Sequence, residues 1–172
     1  MRALRALSLH QPWASLIAVE AKRIETRSWA TNYRGWVAIH AATRWTEAER
    51  SFLSDPAFRE PLAAHYQPDD GEANWLPLGA FIALARLAHM HSTNDKPLPA
   101  QGSAERKFGD YSRDRFMWVF DDVVPLDRPL SARGQQGLWR PTEAECAVFN
   151  EHIARRSEWP KDPGKISYWP QL

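Results

Sequence analysis

The residues best suited to chemistry are Lys22 and Glu25, three positions apart where a turn enters a predicted strand. On an open surface such a pair is a weak, solvated ion pair. In a partly closed cleft, the ammonium becomes a donor to a phosphate or carbonyl oxygen, held in place by the carboxylate. Catalysis would require Lys22 to lose its proton, whereas Glu20 and Glu25 favour its charged form. The local charges therefore favour anion binding over catalysis by a neutral amine.

A second group of candidates surrounds the start of the first predicted helix. His10 and Gln11 precede Pro12, a suitable first helical residue, and backbone N–H groups at a helix start bind anions. His10 is also a possible general acid–base group and third catalytic residue. The alternative for both side chains is a local cap or a core hydrogen bond. Trp13 belongs either to the core or to the same cleft.

Aromatic and cationic side chains alternate along the next segments. Nine tryptophans in 172 residues exceed what the core alone explains. Those beside arginine can stack on a base while the cation meets a phosphate. Arg27 and Trp29 share a strand face with Glu25, and Tyr33 and Arg34 form a turn suited to a phosphate contact. These residues are predicted to bind the ligand.

Other side chains that could do chemistry lie farther along the chain. His40 ends a strand and faces either the cleft or the core. Tyr111 closes a long loop as a candidate lid. His89 and His91 lack a third ligand, so we expect no metal site. The sequence contains no glycine-rich phosphate motif, which excludes Rossmann and P-loop folds and any cofactor bound by them; no cofactor is expected.

Composition and charge narrow the class of protein. The net charge is +1, but residues 1–44 carry a net +5 and residues 45–80 a net −5. This asymmetry favours a polyanion partner at the basic side. The single cysteine, Cys146, excludes an internal disulfide and a cysteine zinc cluster. No apolar run is long enough for a membrane span and the N-terminus lacks a signal-peptide core, so we expect a cytoplasmic protein without membrane contact.

The spacing of apolar residues predicts an α+β fold in a single domain, 1–172. One helix is predicted over Pro12–Val19, and Thr46 with Glu49 forms a capping box at the start of another. The predicted strands are Leu4–Leu9, Ile24–Trp29, Trp36–Ala42, Leu78–His91, Phe116–Phe120 and, after a turn at Asp121 and Asp122, Val123–Leu130. Short strands separated by turns indicate a mixed β-barrel with helices at its mouth and flanks.

The motifs HQPWASL, K-x-x-E-x-R-S-W and Y-R-G, within residues 7–42, resemble the opening of ASCH domains. The resemblance continues in PLGAFIALARLAHM, in FGDYSRDRFMWVFDDVVPL and in GQQGLW, so it spans most of Leu7–Trp139. It implies a PUA-like β-barrel and a cleft between the first helix and the barrel. For function it implies binding of RNA or other nucleic acid, and a few similar proteins are hydrolases of N4-acetylcytidine or of RNA.

Two positions depart from the pattern of the family. Glu20 stands where the family has glycine, which would permit a positive φ after the helix. The amidohydrolases carry threonine at the position of Glu25, and the neighbouring Thr26 faces the opposite side of the strand. The resemblance and the charges predict a domain that binds RNA, single-stranded nucleic acid or a modified nucleoside. The alternatives are a hydrolase centred on Lys22 and a protein-interaction domain that uses the acidic segment 45–80.

Overall fold

The computed structural model describes residues 4–66, 75–95 and 97–157. The strands are β1 (Arg5–Leu9), β2 (Ile24–Arg27), β3 (Gly35–Ala41), β4 (Ala80–Ser92), β5 (Phe116–Ser131) and β6 (Leu138–Trp139). The helices are α1 (Trp13–Ala18), α2 (Glu47–Ser51), α3 (Pro56–Ala63), α4 (Ala104–Lys107) and α5 (Glu143–Ser157), with a 3-10 turn at Phe52–Ser54 between α2 and α3. The predicted domain 1–172 extends into segments outside the described residues.

The six strands form one mixed sheet in the order β2-β5-β4-β3-β1-β6. The pair β1–β3 is parallel and the other pairs are antiparallel. The sheet curls into a half-barrel with β2 and β6 at its ends, which confirms the predicted α+β class and PUA-like architecture. Because β1 and β3 are parallel, a crossover must connect them. This connection contains α1 and β2, and it carries the HQPWASL and K-x-x-E motifs.

The turn predicted at Asp121 and Asp122 is wrong, since β5 runs through both residues. Asp121 accepts two hydrogen bonds from the Arg86 guanidinium on β4, at 2.9 and 2.8 Å. The ladder between β4 and β5 shifts register on both sides of Leu87. Bulges bend a strand without ending it, so the polar pair marks a bend in a continuous strand.

The helix α1 packs on one face of the sheet and α5 on the other. On the first face, Ile17 of α1 is buried among apolar side chains of β1, β3, β4 and β5. On the second, Phe149 of α5 packs against Phe81 with ring centroids 4.9 Å apart. A third cluster joins Leu16 to the α2–α3 segment and to Phe108. These contacts set the position of the start of α1 against the segment after α4.

Glu20 adopts the left-handed backbone conformation, with φ of 63°. The chain reverses there, and the backbone N–H of Lys22 donates to the carbonyl of Leu16 at 3.0 Å. Glu20 could have adopted an ordinary right-handed turn. It has instead the left-handed conformation, which glycine adopts more easily than any residue with a Cβ. The turn brings Lys22 back beneath α1. No helix in the described ranges is long and apolar enough to cross a membrane.

Candidate functional site

A cleft of about 390 Å³ opens between the start of α1, the strand β2 and the segment after α4. Its walls combine aromatic rings, cations and carboxylates. The lining residues are Leu9, His10, Trp13, Glu25, Thr26, Arg27, Phe52, Lys107, Phe108, Gly109 and Asp110. The volume falls in the range of small-ligand pockets. Four predicted site residues, His10, Trp13, Glu25 and Arg27, therefore meet in one place.

Two aromatic rings form one side of the cleft. Trp13, the first residue of α1, meets Phe52 edge to face with centroids 5.0 Å apart. Phe52 is 41% exposed, more than any other large apolar side chain among the described residues. Solvent-accessible aromatic faces in a cleft are suited to stacking on a planar ring.

Lys22 is fully buried directly behind this cleft. Its ammonium donates to the carbonyl of Ile24 and, at 3.1 Å, to that of Phe108. The carboxylate of Glu25 lies 3.4 Å away. Two backbone carbonyls accept hydrogen bonds from this group, and the third neighbour is a carboxylate. The surroundings of Lys22 therefore occupy its donors with protein groups.

Glu25 connects the buried Lys22 to the cleft. It is 8% exposed, and Arg27 Nη1 lies 3.6 Å from its other carboxylate oxygen. The Nε atom of Arg27 is buried without a hydrogen-bond partner. Arg27 thus has one buried donor that the described protein groups leave unused, while 27% of its side chain is exposed beside the cleft.

Glu105 of α4 is a second carboxylate near Lys22. The backbone N–H groups of Arg23 and Ile24 donate to it at 2.7 and 3.2 Å, and the hydroxyl of Tyr111 lies 3.4 Å away. Burial raises the pKa of Glu105, against the lowering effects of Lys22 and of these hydrogen bonds. Glu105 therefore attaches α4, and with it the wall of the cleft, to the start of β2.

At the mouth of the cleft, His10 Nδ1 lies 3.1 Å from the carboxylate of Glu49. The predicted capping box of α2 is confirmed, because the side chain and backbone N–H of Thr46 both contact Glu49. Burial opposes the ionisation of Glu49, but the hydrogen bonds from Thr46 and the charge of Arg44 outweigh it and lower its pKa. Glu49 is thus a fixed anion beside His10.

Several basic residues of the described segment 4–44 are paired with carboxylates. Arg23 pairs with Glu20, and Arg44 lies 3.2 Å from Glu49. Lys107, which lines the cleft, is 2.9 Å from Asp55 of the acidic segment. Carboxylates from the basic segment 1–44 and from the acidic segment 45–80 therefore offset much of the positive charge near the cleft.

Besides the buried Lys22, six predicted ligand-binding residues lie outside the cleft lining. Gln11 is fully buried and bonds to Ser15 and to the carbonyl of Pro77. His40 lies on the α5 side of the sheet, where its ring meets Phe81 and Trp139 and its Nε2 lies 3.0 Å from the carbonyl of Ala132.

The other four of these residues pack locally. Trp29 meets Trp118 edge to face at 4.6 Å, and Tyr33 donates to the carbonyl of Trp36. Arg34 donates to two carbonyls of its own turn. Tyr111 is buried beside Ile24 and Met117 rather than exposed as a lid.

Sequence reasoning missed Phe52, Lys107, Glu49 and Glu105 as parts of this site. Phe52, Glu105 and Lys107 lie well beyond the K-x-x-E-x-R-S-W motif, and their own neighbourhoods contain no chemical signature. Glu49 was recognised only for its capping box, which fixes its place on α2 but not its nearness to His10. Among the residues that the structure describes, no group of three or more His, Cys, Asp or Glu side chains could hold a metal ion.

Comparison with solved structures identifies the class of fold. The crystal structure of ASCH from Zymomonas mobilis matches with a TM-score of 0.53, covering 88% of this chain and 96% of that one at 16% identity. At this identity the likeness shows a shared fold, the PUA-like half-barrel. The sequence model of the ASCH domain matches residues 7–96. The chain belongs to the ASCH domain family, whose PUA-like fold is associated with RNA binding.

Two curated relatives match over a short segment. Activating signal cointegrator 1 from human is 57% identical over 37 residues, which are 20% of this chain and 6% of that protein. The mouse protein of the same name is 59% identical over 34 residues, 19% of this chain and 6% of that one. The match therefore spans a small fraction of these relatives' length.

Proposed function

We propose that the cleft beside α1 binds single-stranded RNA or a modified nucleotide. The observation that carries this proposal is the combination of Trp13 and Phe52 with Arg27 and Lys107 around a space of about 390 Å³. Every nucleobase has a face that can stack on an aromatic ring, and every nucleotide has a phosphate that attracts a cation. The association of the ASCH fold with RNA binding supports the same class of ligand.

Arg27 is our candidate for the phosphate contact. Its side chain is 27% exposed at the cleft, and its Nε has no partner among the described protein groups. A guanidinium can contact a phosphate through two N–H groups at once. Glu25 holds this cation from one side and the ring of Trp29 lies 5.8 Å from it, so a ligand would meet the exposed part of the guanidinium.

In this proposal Lys22 supports the site from behind. Its ammonium fixes the carboxylate of Glu25 and the carbonyl of Phe108, both of which belong to the cleft wall. The sequence suggests that Lys22 contacts the anion directly. We assign this contact to Arg27 instead, because the protein groups around Lys22 already use its donors.

Binding of a fluorescent single-stranded RNA, measured over a range of salt concentrations, tests the phosphate assignment. For single strands, each phosphate contact contributes about 0.7 to the slope of log affinity against log salt. We expect Arg27→Ala to weaken binding and to reduce the slope by about that amount. Arg34→Ala and Arg86→Ala remove the same charge outside the cleft and serve as matched controls. Equal slopes for all four proteins would refute the role of Arg27.

Hydrolysis of a nucleoside amide or of RNA is the second candidate function. The buried Lys22–Glu25 pair at the base of the cleft favours it, since a lysine and a carboxylate can share acid–base work. Against it stand the protein acceptors around Lys22, which already use its donors. We expect the protein to release cytidine from N4-acetylcytidine slowly or not at all. Chromatography of the reaction mixture measures this release. Rapid release that Glu25→Gln abolishes would establish the hydrolase instead.

A further inference from the structure

His10 presents one edge of its ring to the cleft and buries the other. Its side chain is 44% exposed, yet its Nδ1 atom is buried. Of the two ring nitrogens, Nδ1 is the one buried without a hydrogen-bond partner, and Nε2 lies at the other edge of the ring. Since His10 lines the cleft, this nitrogen is the polar atom that the ring offers to a ligand.

The carboxylate of Glu49 determines which ring nitrogen carries the proton. Glu49 Oε1 lies 3.1 Å from Nδ1, although the angle is not that of an aligned hydrogen bond. A lone pair on Nδ1 would face this anion and be repelled, whereas an N–H there is attracted. In the neutral ring Nδ1 is then protonated and Nε2 is an acceptor, as in carboxylate–histidine pairs that orient metal-binding imidazoles.

We propose that Glu49 is a positioning residue that sets His10 Nε2 as a hydrogen-bond acceptor in the cleft, where it recognises a hydroxyl or amino donor of the bound nucleotide. This inference rests on the proposed function and adds the source of its selectivity. The ligand donor is a ribose 2′-hydroxyl or an exocyclic amine of a base, two sources of the same chemistry.

The other polar groups of the cleft explain the value of such an acceptor. Arg27 and Lys107 are donors, suited to phosphate oxygens. The acceptors Glu25 and Asp110 are anions, each with an arginine close by, at 3.6 and 3.3 Å. A neutral imidazole nitrogen accepts a hydrogen bond without repelling a nearby phosphate, so it combines donor recognition with the binding of an anionic ligand.

Replacement of Glu49 by glutamine offers a sharp test. In Glu49→Gln, the amide oxygen can still accept from Thr46 and keep the capping box of α2. The amide NH2 then faces His10 Nδ1 and favours the tautomer in which Nδ1 accepts and Nε2 donates. The matched control is Glu47→Gln, which removes the same charge from an exposed position of the same helix.

The binding experiment uses four short single-stranded probes of equal length. Oligo-C and oligo-U RNA differ in an amine against a carbonyl on the base, and each DNA counterpart lacks the 2′-hydroxyl. We expect the wild type to prefer C over U, or RNA over DNA, by about two- to tenfold, the scale of one net hydrogen bond. His10→Ala should abolish this preference, Glu49→Gln should abolish or reverse it, and Glu47→Gln should leave it intact.

Nitrogen NMR of the His10 ring provides a readout that a merely structural ion pair would not explain. We expect the Nδ1–H tautomer in the neutral ring of the wild type and Nε2–H in Glu49→Gln. The Nε2–H tautomer in the wild type, or a preference that survives His10→Ala, would overturn the inference while the proposed function stands. Failure of every probe to bind the wild type would refute the proposed function, and this inference with it.

Discussion

Lys22 is fully buried, where its side chain donates to two backbone carbonyls and lies 3.4 Å from the carboxylate of Glu25. Removing one partner of a buried ionic group leaves the others desolvated and unpaired. We therefore expect Lys22→Met, which keeps most of the volume, to lower the free energy of unfolding by about 3–5 kcal/mol. Urea denaturation followed by circular dichroism measures this loss.

Lys107→Met is the control for this change, because Lys107 forms an exposed ion pair with Asp55. Exposed pairs contribute about 0–1 kcal/mol, so this variant should lose little stability. If Lys22→Met lost no more than Lys107→Met, the interior role of Lys22 would be disproved. If Lys22→Met kept its stability but lost RNA binding, the result would indicate that Lys22 contacts the ligand directly.

Glu105 gives stability a dependence on pH with a definite sign. Its pKa is raised above the ordinary value of 4.5, chiefly by burial. Between these two values the folded protein binds more protons at Glu105 than the unfolded chain, so this contribution to stability falls as pH rises. Glu105→Gln lacks the contribution. We expect the melting temperature of the wild type, relative to this variant, to decline as pH increases from about 4.5 through the raised pKa.

The difference between the two melting curves isolates Glu105 from the other carboxylates. Glu49, Asp55 and Asp110 have lowered pKa values and give the opposite trend, but they are common to both proteins. A wild-type advantage over Glu105→Gln that grew with pH would contradict the assignment.

At the scale of elements, the turn between α1 and β2 contains a strained position. The left-handed conformation costs a residue with a Cβ about 1–2 kcal/mol, and Glu20 occupies it. Glu20→Ala removes the ion pair with Arg23 but keeps the Cβ, whereas Glu20→Gly removes both. We expect the glycine variant to be more stable than the alanine variant by about 1 kcal/mol, measured by thermal denaturation. Equal stabilities would show that the turn relaxes around the side chain.

Elements with a local signal were predictable from the sequence. The capping box of Thr46 and Glu49 marks the start of α2, the alternation of apolar residues marks β1 and β3, and a long apolar run marks β4. The continuity of β5 was not predictable, because Asp121 and Asp122 look like a turn until Arg86 on the neighbouring strand is known. The pairing of Asp121 with Arg86 depends on the register between β4 and β5, and the sequence of one segment does not reveal this register.

The candidate site shows the same division between local and long-range information. The HQPWASL and K-x-x-E motifs bring His10, Trp13, Glu25 and Arg27 to one cleft, as expected from their resemblance to ASCH domains. Phe52 and Lys107 reach that cleft through the third hydrophobic cluster, which joins α1, α3 and Phe108. Such packing leaves no pattern in the sequence around either residue.

At the scale of the whole molecule, the folded unit extends beyond the matched residues 7–96. Phe149 of α5 is fully buried and packs on Phe81 of β4. Truncation of a buried phenylalanine to alanine costs about 3–5 kcal/mol, and we expect this loss for Phe149→Ala in urea denaturation. Asn150→Ala, at the exposed neighbouring position, should change stability by less than about 0.5 kcal/mol. A small loss for Phe149→Ala would mean that α5 is dispensable.

The arrangement of β1 has a consequence in time. This strand is made before its partners β3 and β6, and Ala6 pairs with Trp139. At roughly 5–20 residues per second, a ribosome needs on the order of ten seconds to proceed from one to the other. Throughout that interval one edge of β1 lacks its neighbour. We therefore expect the nascent chain to complete its sheet late, and its refolding to be slow for its size, since distant pairings slow folding.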